Sequence, residues 1–377
     1  MSTAHLPRWA DVVVLPLVNL AMALAVAAIV VALVGQHPGE VLTLLLKGAF
    51  GTARGFSYTL YYATTFVFTG LAVAVAAHGG LFNIGAEGQA TLGGLGAGLA
   101  ALWLGEALPA ALMLPLMLVC SIAFGAAWAA VPAYLQAYRG SHVVITTIMF
   151  NFLANILLVY LLVNVLKTPE TMSVESMPFE PSAHLPGVHE ALAWIGIEWP
   201  SSPLNLSVVI AGVAACGVYA YLWRTRAGYR LRTVGASAGA AAYAGIRPEL
   251  QMMVAMGISG GLAGMVAMNE IAGVNGKLLL DFAGGAGFTG IAVSIMGRNH
   301  PVGIVLASLL FGALYQGGAE VAFELPTFSR DMVVMLQGFI VLFSGAMAYV
   351  LAPTMSRLVG SERRAPVEPA PSEPGHG

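Results

Sequence analysis

Long apolar stretches separated by short polar ones run through almost the whole chain. A bilayer core about 30 Å thick is crossed by about 20 apolar residues of α-helix, and runs of that length recur between charges or Gly/Pro breaks. The pattern predicts an all-α, polytopic membrane protein with about ten transmembrane helices in one transmembrane domain, residues 12–352. The predicted spans are residues 12–35, 58–77, 82–104, 108–137, 143–165, 206–223, 250–272, 284–297, 301–320 and 331–352.

Three of these spans differ from a plain apolar helix. Gly, Asn and Glu interrupt the third span, so we predict a Gly-interrupted helix near residues 79–89. The eighth span, 284–297, is short. The first span, 12–35, is longer than the apolar core of about 7 to 15 residues in a cleavable signal peptide, and we therefore predict that it is retained.

The distribution of charge predicts the orientation, because cytoplasmic loops collect Lys and Arg. Residues 224–249 hold five arginines and one acid, whereas residues 166–205 hold five glutamates and one lysine. We place the first segment in the cytoplasm and the second outside the cell. Both termini then lie in the cytoplasm: residues 1–11, and a tail over residues 353–377 that is rich in Pro, Glu and Ser and is predicted to be disordered.

Composition narrows the function classes. Hydrophobic residues make up 58% of the 377 residues and charged residues 9%, against roughly 25% charged in an ordinary soluble domain. A formal net charge of -2 offers no basic surface for nucleic acid. Cys120 and Cys216 each lie in an apolar run and form neither a disulfide framework nor a metal site. We therefore expect the chain to contact the lipid bilayer and not to bind nucleic acid.

Sequence signatures of catalysis are missing. The nearest approach to a phosphate-binding Gly-x-x-x-x-Gly-Lys-Ser/Thr loop is Gly273-Val-Asn-Gly-Lys277, whose spacing is wrong. No His-Glu-x-x-His cluster and no Gly-x-Ser-x-Gly turn occurs. We therefore predict no catalytic residue, no metal and no cofactor in this chain.

The most unusual polar stretch covers residues 78–89, where Asn83, Glu87 and Gln89 lie among glycines in an apolar region. A carboxylate near the bilayer centre costs about 2.5 to 3.5 kcal/mol on insertion scales, so it faces protein or a wet cavity. Asn83 and Glu87 are four residues apart and would share one face of a helix. The stretch either lines a solute pathway or forms a hydrogen-bond network between helices, and these residues alone leave both interpretations open.

A second polar stripe lies in the span 143–165. Thr147, Asn151 and Asn155 repeat every four residues, with Phe150 beside them. Amides beside aromatic rings suit a solute that has hydroxyl groups and a planar ring. They suit hydrogen bonding between helices equally well.

Small residues mark two further features. Gly94 with Gly98 and Gly260 with Gly264 match the Gly-x-x-x-Gly pattern and predict close helix contacts. Residues 225–245 begin with arginines and continue with small residues, as in a short amphipathic helix between turns. On its own this segment is either a positively charged loop without further function or a docking element.

Four sequence blocks, taken in order, resemble a known family. They are residues 82–89 (FNIGAEGQ), 143–151 (VVITTIMFN), 228–246 (GYRLRTVG followed by AAYAGI) and 287–297 (GFTGIAVSIMG). The blocks are similar to those of the permeases of simple-sugar and nucleoside ABC importers. A more distant similarity joins them to the branched-chain amino acid permeases of the same superfamily, and the likeness covers about residues 55–350.

The resemblance implies a set of partners. A permease of this family pairs with a second, paralogous permease, docks an ABC ATPase subunit and receives substrate from an extracytoplasmic binding protein or lipoprotein. ATP hydrolysis would then belong to the ATPase, and the chain would lie in the bacterial inner membrane.

The resemblance also implies two groups of functional residues. The expected substrate pathway comprises Phe82, Asn83, Glu87, Gln89, Thr147, Phe150, Asn151 and Phe288. The expected ATPase-coupling loop lies within 224–249 and includes Gly228, Arg230, Arg232, Gly235, Ala241 and Gly245. Thr289 departs from the family pattern, where an acidic residue often follows the Phe, and the role of this position stays open.

Together these features predict an importer permease for a small polar solute, with nucleosides as the favoured substrates. The block at residues 82–89 and the added N-terminal span look most like the longer permease of nucleoside-type systems. Three alternatives are kept. They are the same architecture for simple sugars such as ribose or galactose, a self-sufficient ion-coupled transporter or channel with Glu87 as its ion site, and a membrane-embedded enzyme.

Overall fold

The regular elements of the chain are helices. The computed structural model describes residues 15–33, 35–167 and 173–325 together with a few isolated later residues, and this part holds isolated β-bridges but no strand. The α-helices are α1 (Leu15–Leu33), α2 (Pro38–Phe50), α3 (Ala53–His78), α4 (Ala86–Leu104), α5 (Ala110–Arg139), α6 (Val143–Asn164), α7 (Val188–Ala193), α8 (Ser207–Arg224), α9 (Arg226–Ala236), α10 (Ala238–Tyr243), α11 (Pro248–Gly264), α12 (Ala286–Met296) and α13 (Pro301–Glu324). A 3₁₀ turn covers Pro181–Ala183, and a π-helix, Met268–Asn275, follows α11.

The chain divides into two compact units. One consists of Met1–Gly35 with Gly338–Gly377 and contains α1, a 19-residue apolar helix. The other, Gln36–Gln337, contains α2 to α13. The predicted N-terminal segment 1–11 and the predicted tail 353–377 lie outside the described residues, as does nearly all of the predicted span 331–352.

The described residues do not support the predicted count of about ten spanning helices. Six helices are long and apolar enough to cross a membrane, and a seventh span results if Leu24–Leu33 and Pro38–Phe50 count as one. The protein is therefore a polytopic all-α membrane protein, and its described residues contain fewer full-length spans than predicted. The six are Ala53–His78, Ala110–Arg139, Val143–Asn164, Ser207–Arg224, Pro248–Asn275 and Pro301–Glu324.

Helix α8 defines two ends of the larger unit. It leads from the loop 173–206, which we call the loop end, to the arginine-rich segment 226–247, which we call the arginine end. Helix α3 runs between the same ends. It is the central helix, since 83% of an apolar 18-residue stretch of α3 is buried, against 22% for the corresponding stretch of α5. At the loop end of α3 the indole of Trp199 donates to the Ser57 hydroxyl at 2.8 Å. At its arginine end the ring of His78 lies 5.3 Å from that of Trp223.

The predicted glycine interruption lies between α3 and α4. Helix α3 ends at His78, residues 79–85 are not helical, and the helix resumes at Ala86. Gly80 adopts a φ of +76°, a left-handed conformation that glycine reaches without steric cost. The interruption is thus shorter than the predicted 79–89, and its last residues belong to the first turn of α4.

A longer non-helical segment precedes α12. At the loop end the backbone N–H of Leu278 donates to the Ser176 hydroxyl at 2.9 Å, and residues 276–285 then follow a non-helical path before α12 begins. Helix α12 has 11 residues, which corresponds to about 16 Å. The prediction of a spanning helix over 284–297 was therefore wrong, because a helix of this length covers only about half of the hydrocarbon.

Glycines bring helices α5 and α11 into backbone contact. A Cβ on Gly125 would collide with the carbonyl oxygen of Gly260, and a Cβ on Gly264 would collide with that of Ser121. Close approach of this kind stabilises helix pairs in lipid through van der Waals packing. The close helix contacts predicted from Gly260 with Gly264 are confirmed. Gly94 and Gly98 are also closely packed, but against the side chains of Phe282 and Leu278 in the non-helical segment 276–285 and not against the backbone of another helix.

Candidate functional site

Asn83 holds the non-helical segment 79–85 in place. Its amide nitrogen donates to Gln89 Oε1 at 2.9 Å and to the Ser259 hydroxyl at 2.8 Å. Its amide oxygen accepts the backbone N–H of Gly85 at 2.8 Å and the amide N–H of Gln89 at 3.2 Å. Asn83 is fully buried, and these contacts use its donors and acceptors. Asn83 therefore stabilises the break in the arrangement that the structure shows.

Glu87 joins the beginnings of two helices. It lies in the first turn of α4, and its carboxylate accepts the backbone N–H of Gly285 at 2.9 Å and that of Gly287 at 2.7 Å. These two N–H groups belong to the N-terminus of α12, whose own N-cap residue provides no side-chain hydrogen bond. A carboxylate is favoured at this position because the first N–H groups of a helix lack intrahelical partners and carry partial positive charge.

Asn151 fastens helix α6 to the same place. Its amide oxygen accepts the backbone N–H of Gly88 at 2.9 Å, and its amide nitrogen donates to the carbonyl of Ile84 at 2.9 Å. Thr147, one turn earlier and fully buried, donates to the carbonyl of Val143 within its own helix at 2.8 Å. Three segments distant in sequence thus meet at one point, which we call the half-helix junction: residues 84–88, Asn151 and residues 285–287.

The structure brings most of the expected pathway residues together and leaves others apart. Asn83, Glu87, Gln89, Thr147 and Asn151 are buried at or beside the junction. The rings lie elsewhere. Phe82 and Phe288 are exposed, at 43% and 50%, while Phe150 packs against Trp128 at a ring distance of 5.1 Å. Asn155, the third member of the predicted stripe on α6, is exposed and does not join the junction.

The arginine segment forms two short helices, α9 and α10. The hydroxyl of Thr225 caps α9 by accepting the backbone N–H of Gly228 at 3.0 Å. Gly228 and Ala241 are buried, whereas Arg230 and Gly245 are exposed. Gly228 lies against the backbone of the end of α8, where a Cβ would collide with it. The segment is therefore anchored on one side and presents its arginine side outward.

The end of α9 touches the beginning of the break. A Cβ on Gly235 would lie 3.0 Å from the backbone nitrogen of Gly80 and would collide with the carbonyl oxygen of His78. Arg232 is half-buried, and its Nε has no hydrogen-bond partner among the described residues. The segment 79–85 thus connects the arginine end directly to the half-helix junction.

The sequence-based predictions do not include one buried polar cluster. Asn269 and Glu270 lie in the π-helix after α11, and both are buried. The Glu270 carboxylate accepts the hydroxyls of Tyr61 and of Thr65, the latter at 2.7 Å. The sequence does contain a signal for this cluster, namely an amide and a carboxylate side by side at the end of the apolar run 250–272.

Comparisons with known proteins point to transport. Residues 55–345 match the family described as "Branched-chain amino acid transport system / permease component". The chain is 33% identical over 346 residues to the guanosine ABC transporter permease protein NupP of Bacillus subtilis, covering 89% of this chain and 94% of that protein. It is 32% identical to the glucose ABC transporter permease protein TsgB13 of Haloferax volcanii, over 87% of this chain and 86% of the relative.

A third relative is again a nucleoside permease. The chain is 29% identical to the nucleoside ABC transporter permease protein NupB of Lactococcus lactis subsp. cremoris, over 81% of this chain and 83% of that protein. No solved structure matches the chain.

Proposed function

The chain belongs to the permease-component family of the branched-chain amino acid transport system type, and we propose that it serves as the permease subunit of an ABC importer for nucleosides. Similarity to relatives named for guanosine and nucleosides supports this substrate class. Similarity to a relative named for glucose supports simple sugars as the second candidate.

The observation that carries the proposed mechanism is the contact between α9 and the break before α4. A permease must exchange an outward-open and an inward-open state, and the energy must come from a partner whose movement reaches the spans. Gly235 lies against Gly80, and three residues further on Asn83 holds the break beside the half-helix junction. A movement of α9 would therefore be transmitted through direct contacts to the two non-helical segments, residues 79–85 and 276–285.

The proposed partners fit the two ends of the larger unit. An ABC ATPase would dock on the exposed side of α9 and α10, and hydrolyse the ATP there. A binding protein or lipoprotein would deliver substrate at the loop end, and a paralogous permease would complete the pathway. In this proposal the arginine end lies in the cytoplasm, because cytoplasmic segments collect arginine, and the loop end lies outside the bacterial inner membrane. Both termini are proposed to be cytoplasmic.

The expected pathway residues acquire different proposed roles. Phe82 is exposed in the middle of the break, and Phe288 is exposed in the first turn of α12, so they would contact the solute or the second permease. In the present state Glu87 and Asn151 hydrogen-bond to backbone groups, and Asn83 bonds to the backbone of Gly85 and to the side chains of Gln89 and Ser259. They would border the pathway only when the junction opens.

Nucleoside uptake tests the proposed function. We expect labelled nucleoside uptake to fall at least about tenfold in cells that lack this chain, because each importer needs both of its permeases. Uptake should recover in cells that regain the chain. Ribose, galactose and leucine serve as competitors and should leave the rescued uptake unchanged. Unchanged nucleoside uptake together with a loss of sugar uptake would move the substrate to the sugar class and contradict the proposal.

Gly235→Val tests the coupling role of α9. The added side chain would collide with the end of α3, so we expect α9 to shift and transport to fall at least about tenfold relative to ATP hydrolysis. The measurement is the ratio of transported nucleoside to hydrolysed ATP in proteoliposomes. Gly239→Val is the matched control, since a Cβ there meets nothing within 4 Å. An unchanged ratio in Gly235→Val would refute this role.

A further inference from the structure

Glu270 is a buried carboxylate held by neutral donors. One oxygen, Oε1, accepts the hydroxyl of Thr65 at 2.7 Å and the amide of Asn269 at 3.4 Å, and the other, Oε2, accepts the hydroxyl of Tyr61. Glu270 retains 9% exposure. A carboxylate has about four acceptor positions, so about one remains free, on Oε2.

Asn269 stabilises this arrangement through its own hydrogen bonds. Its amide nitrogen donates to the carbonyl of Tyr61 at 3.1 Å and to the Thr65 hydroxyl at 2.7 Å. Its amide oxygen accepts the Asn205 amide at 3.0 Å and the Ser207 hydroxyl at 2.7 Å. Asn269 therefore has no position left for a ligand, whereas Glu270 does.

No basic side chain neutralises Glu270 within the described residues. The groups that act on Glu270 are the neutral side chains of Tyr61, Thr65 and Asn269. Glu175 in the loop region, by contrast, is paired with Lys277 at 2.9 Å. A buried charge without an opposite charge is costly, and further hydrogen-bond donors reduce that cost. A ligand that offers one N–H donor to Oε2 would therefore be stabilised at this position.

A series of aromatic rings in mutual contact begins at Tyr61, whose hydroxyl donates to Glu270. The ring of Tyr61 is 5.1 Å from that of Tyr62, which lies 5.6 Å from Tyr315, and Phe66 lies 5.1 Å from Tyr315. Tyr62 and Tyr315 are half-buried, so parts of these rings remain accessible. Aromatic faces stack on nucleobases without regard to the base, while an acceptor at the edge selects a base by its N–H groups.

The position of the cluster fits an early contact on the route inward. Glu270 lies in a π-helix, a rare element that often occurs at functional sites. Asn205 ties the cluster to the loop end, the end at which the proposed binding protein delivers substrate. Ca²⁺ and Mg²⁺ are poorer occupants, because Ca²⁺ takes six or more oxygen ligands and Mg²⁺ six, and one acceptor position on the carboxylate remains here.

We infer that Glu270, oriented by the hydroxyl of Tyr61, forms a nucleobase-binding site with the half-buried rings of Tyr62 and Tyr315. The carboxylate accepts the ring N–H of the base, and the base stacks on these two rings. This inference rests on the proposed nucleoside transport and adds the group that recognises the base. The site is separate from the half-helix junction and uses none of its residues.

A comparison of inosine with 1-methylinosine tests the inference, because the methyl group removes the ring N–H donor. The complete complex with its ATPase, second permease and binding protein is reconstituted in proteoliposomes, and kcat/KM for uptake is measured for both nucleosides. The preference of the wild type for inosine should shrink at least about fivefold in Glu270→Gln, since hydrogen bonds to charged acceptors are about twice as strong as neutral ones. The binding protein is the same in both complexes, so its own preference cancels.

Further variants separate recognition from packing. Glu175→Gln removes a carboxylate in the loop region and should leave the preference unchanged. Tyr61→Phe removes the donor that orients Oε2 and should reduce the preference in the same direction, which keeps the test available if Glu270→Gln fails to assemble. A purely structural Glu270 would lower both uptake rates equally and leave the preference intact, and that result overturns the inference.

The two proposals fail in different ways. If the wild-type complex transports no nucleoside, the proposed function fails. If it transports inosine and the preference is the same in Glu270→Gln, only the nucleobase site fails. Uptake that depends on an alkali cation in the wild type and not in Glu270→Gln, with an unchanged preference, would identify a cation site and also overturn the inference.

Discussion

Gly125→Val should strongly lower the yield and the melting temperature of the protein. The Cβ would collide with the carbonyl oxygen of Gly260 and come within 3.1 Å of the Cα of Gly264, so backbone meets side chain where neither can yield. Overpacking of a filled site costs about 1 to 3 kcal/mol, and rigid backbone on both sides places this variant at about 3 kcal/mol or more. The measurement is the yield and melting temperature of the purified protein in detergent.

Gly212→Val is the matched control for this substitution. Gly212 also lies inside a spanning helix, α8, but a Cβ there meets nothing within 4 Å. We expect its yield and melting temperature to stay close to those of the wild type. If Gly125→Val behaved like this control, α5 and α11 would not be in backbone contact.

Glu87→Ala should abolish transport and destabilise the protein. It leaves the N–H groups of Gly285 and Gly287 without their acceptor, and each unsatisfied buried group costs about 1 to 3 kcal/mol. Because α12 then begins without a cap, we expect uptake to fall at least about tenfold. Uptake in proteoliposomes and the melting temperature of the purified complex check both parts.

Two variants sharpen the result at Glu87. Glu87→Gln keeps one acceptor oxygen and should lie between the wild type and Glu87→Ala in melting temperature. Glu106→Ala removes an exposed acid near the end of α4 and should change neither quantity. A normal melting temperature for Glu87→Ala combined with lost uptake would instead show that Glu87 acts on the solute and not as a cap.

Features set by neighbouring residues were predicted well. The interruption before α4 follows from Gly79, Gly80 and Gly85 around Asn83, since these residues disfavour helix within a few positions. The spacing of Gly260 and Gly264 likewise signalled a close helix contact, which the structure contains. The arginine segment was predicted to include a short helix, and it forms α9 and α10.

Features set by distant residues were not predicted. The N–H partners of Glu87 are 198 and 200 residues away in the chain, at a half-length helix that was predicted to be a span. Asn155 has the same spacing as Thr147 and Asn151 and is nevertheless exposed, because helix spacing says nothing about which neighbour covers each turn.

The membrane class, the positions of six spans, the lack of familiar catalytic motifs and the resemblance to importer permeases could all be read from the amino-acid sequence. These features depend on composition, on runs of apolar residues and on motifs within one segment. The half-length of α12, its cap by Glu87 and the hydrogen bond from Tyr61 of α3 to Glu270 became visible in the folded protein. In a membrane interior a buried polar group must find a partner, and the partner is set by which helices pack together, a property that lies between segments and not within them.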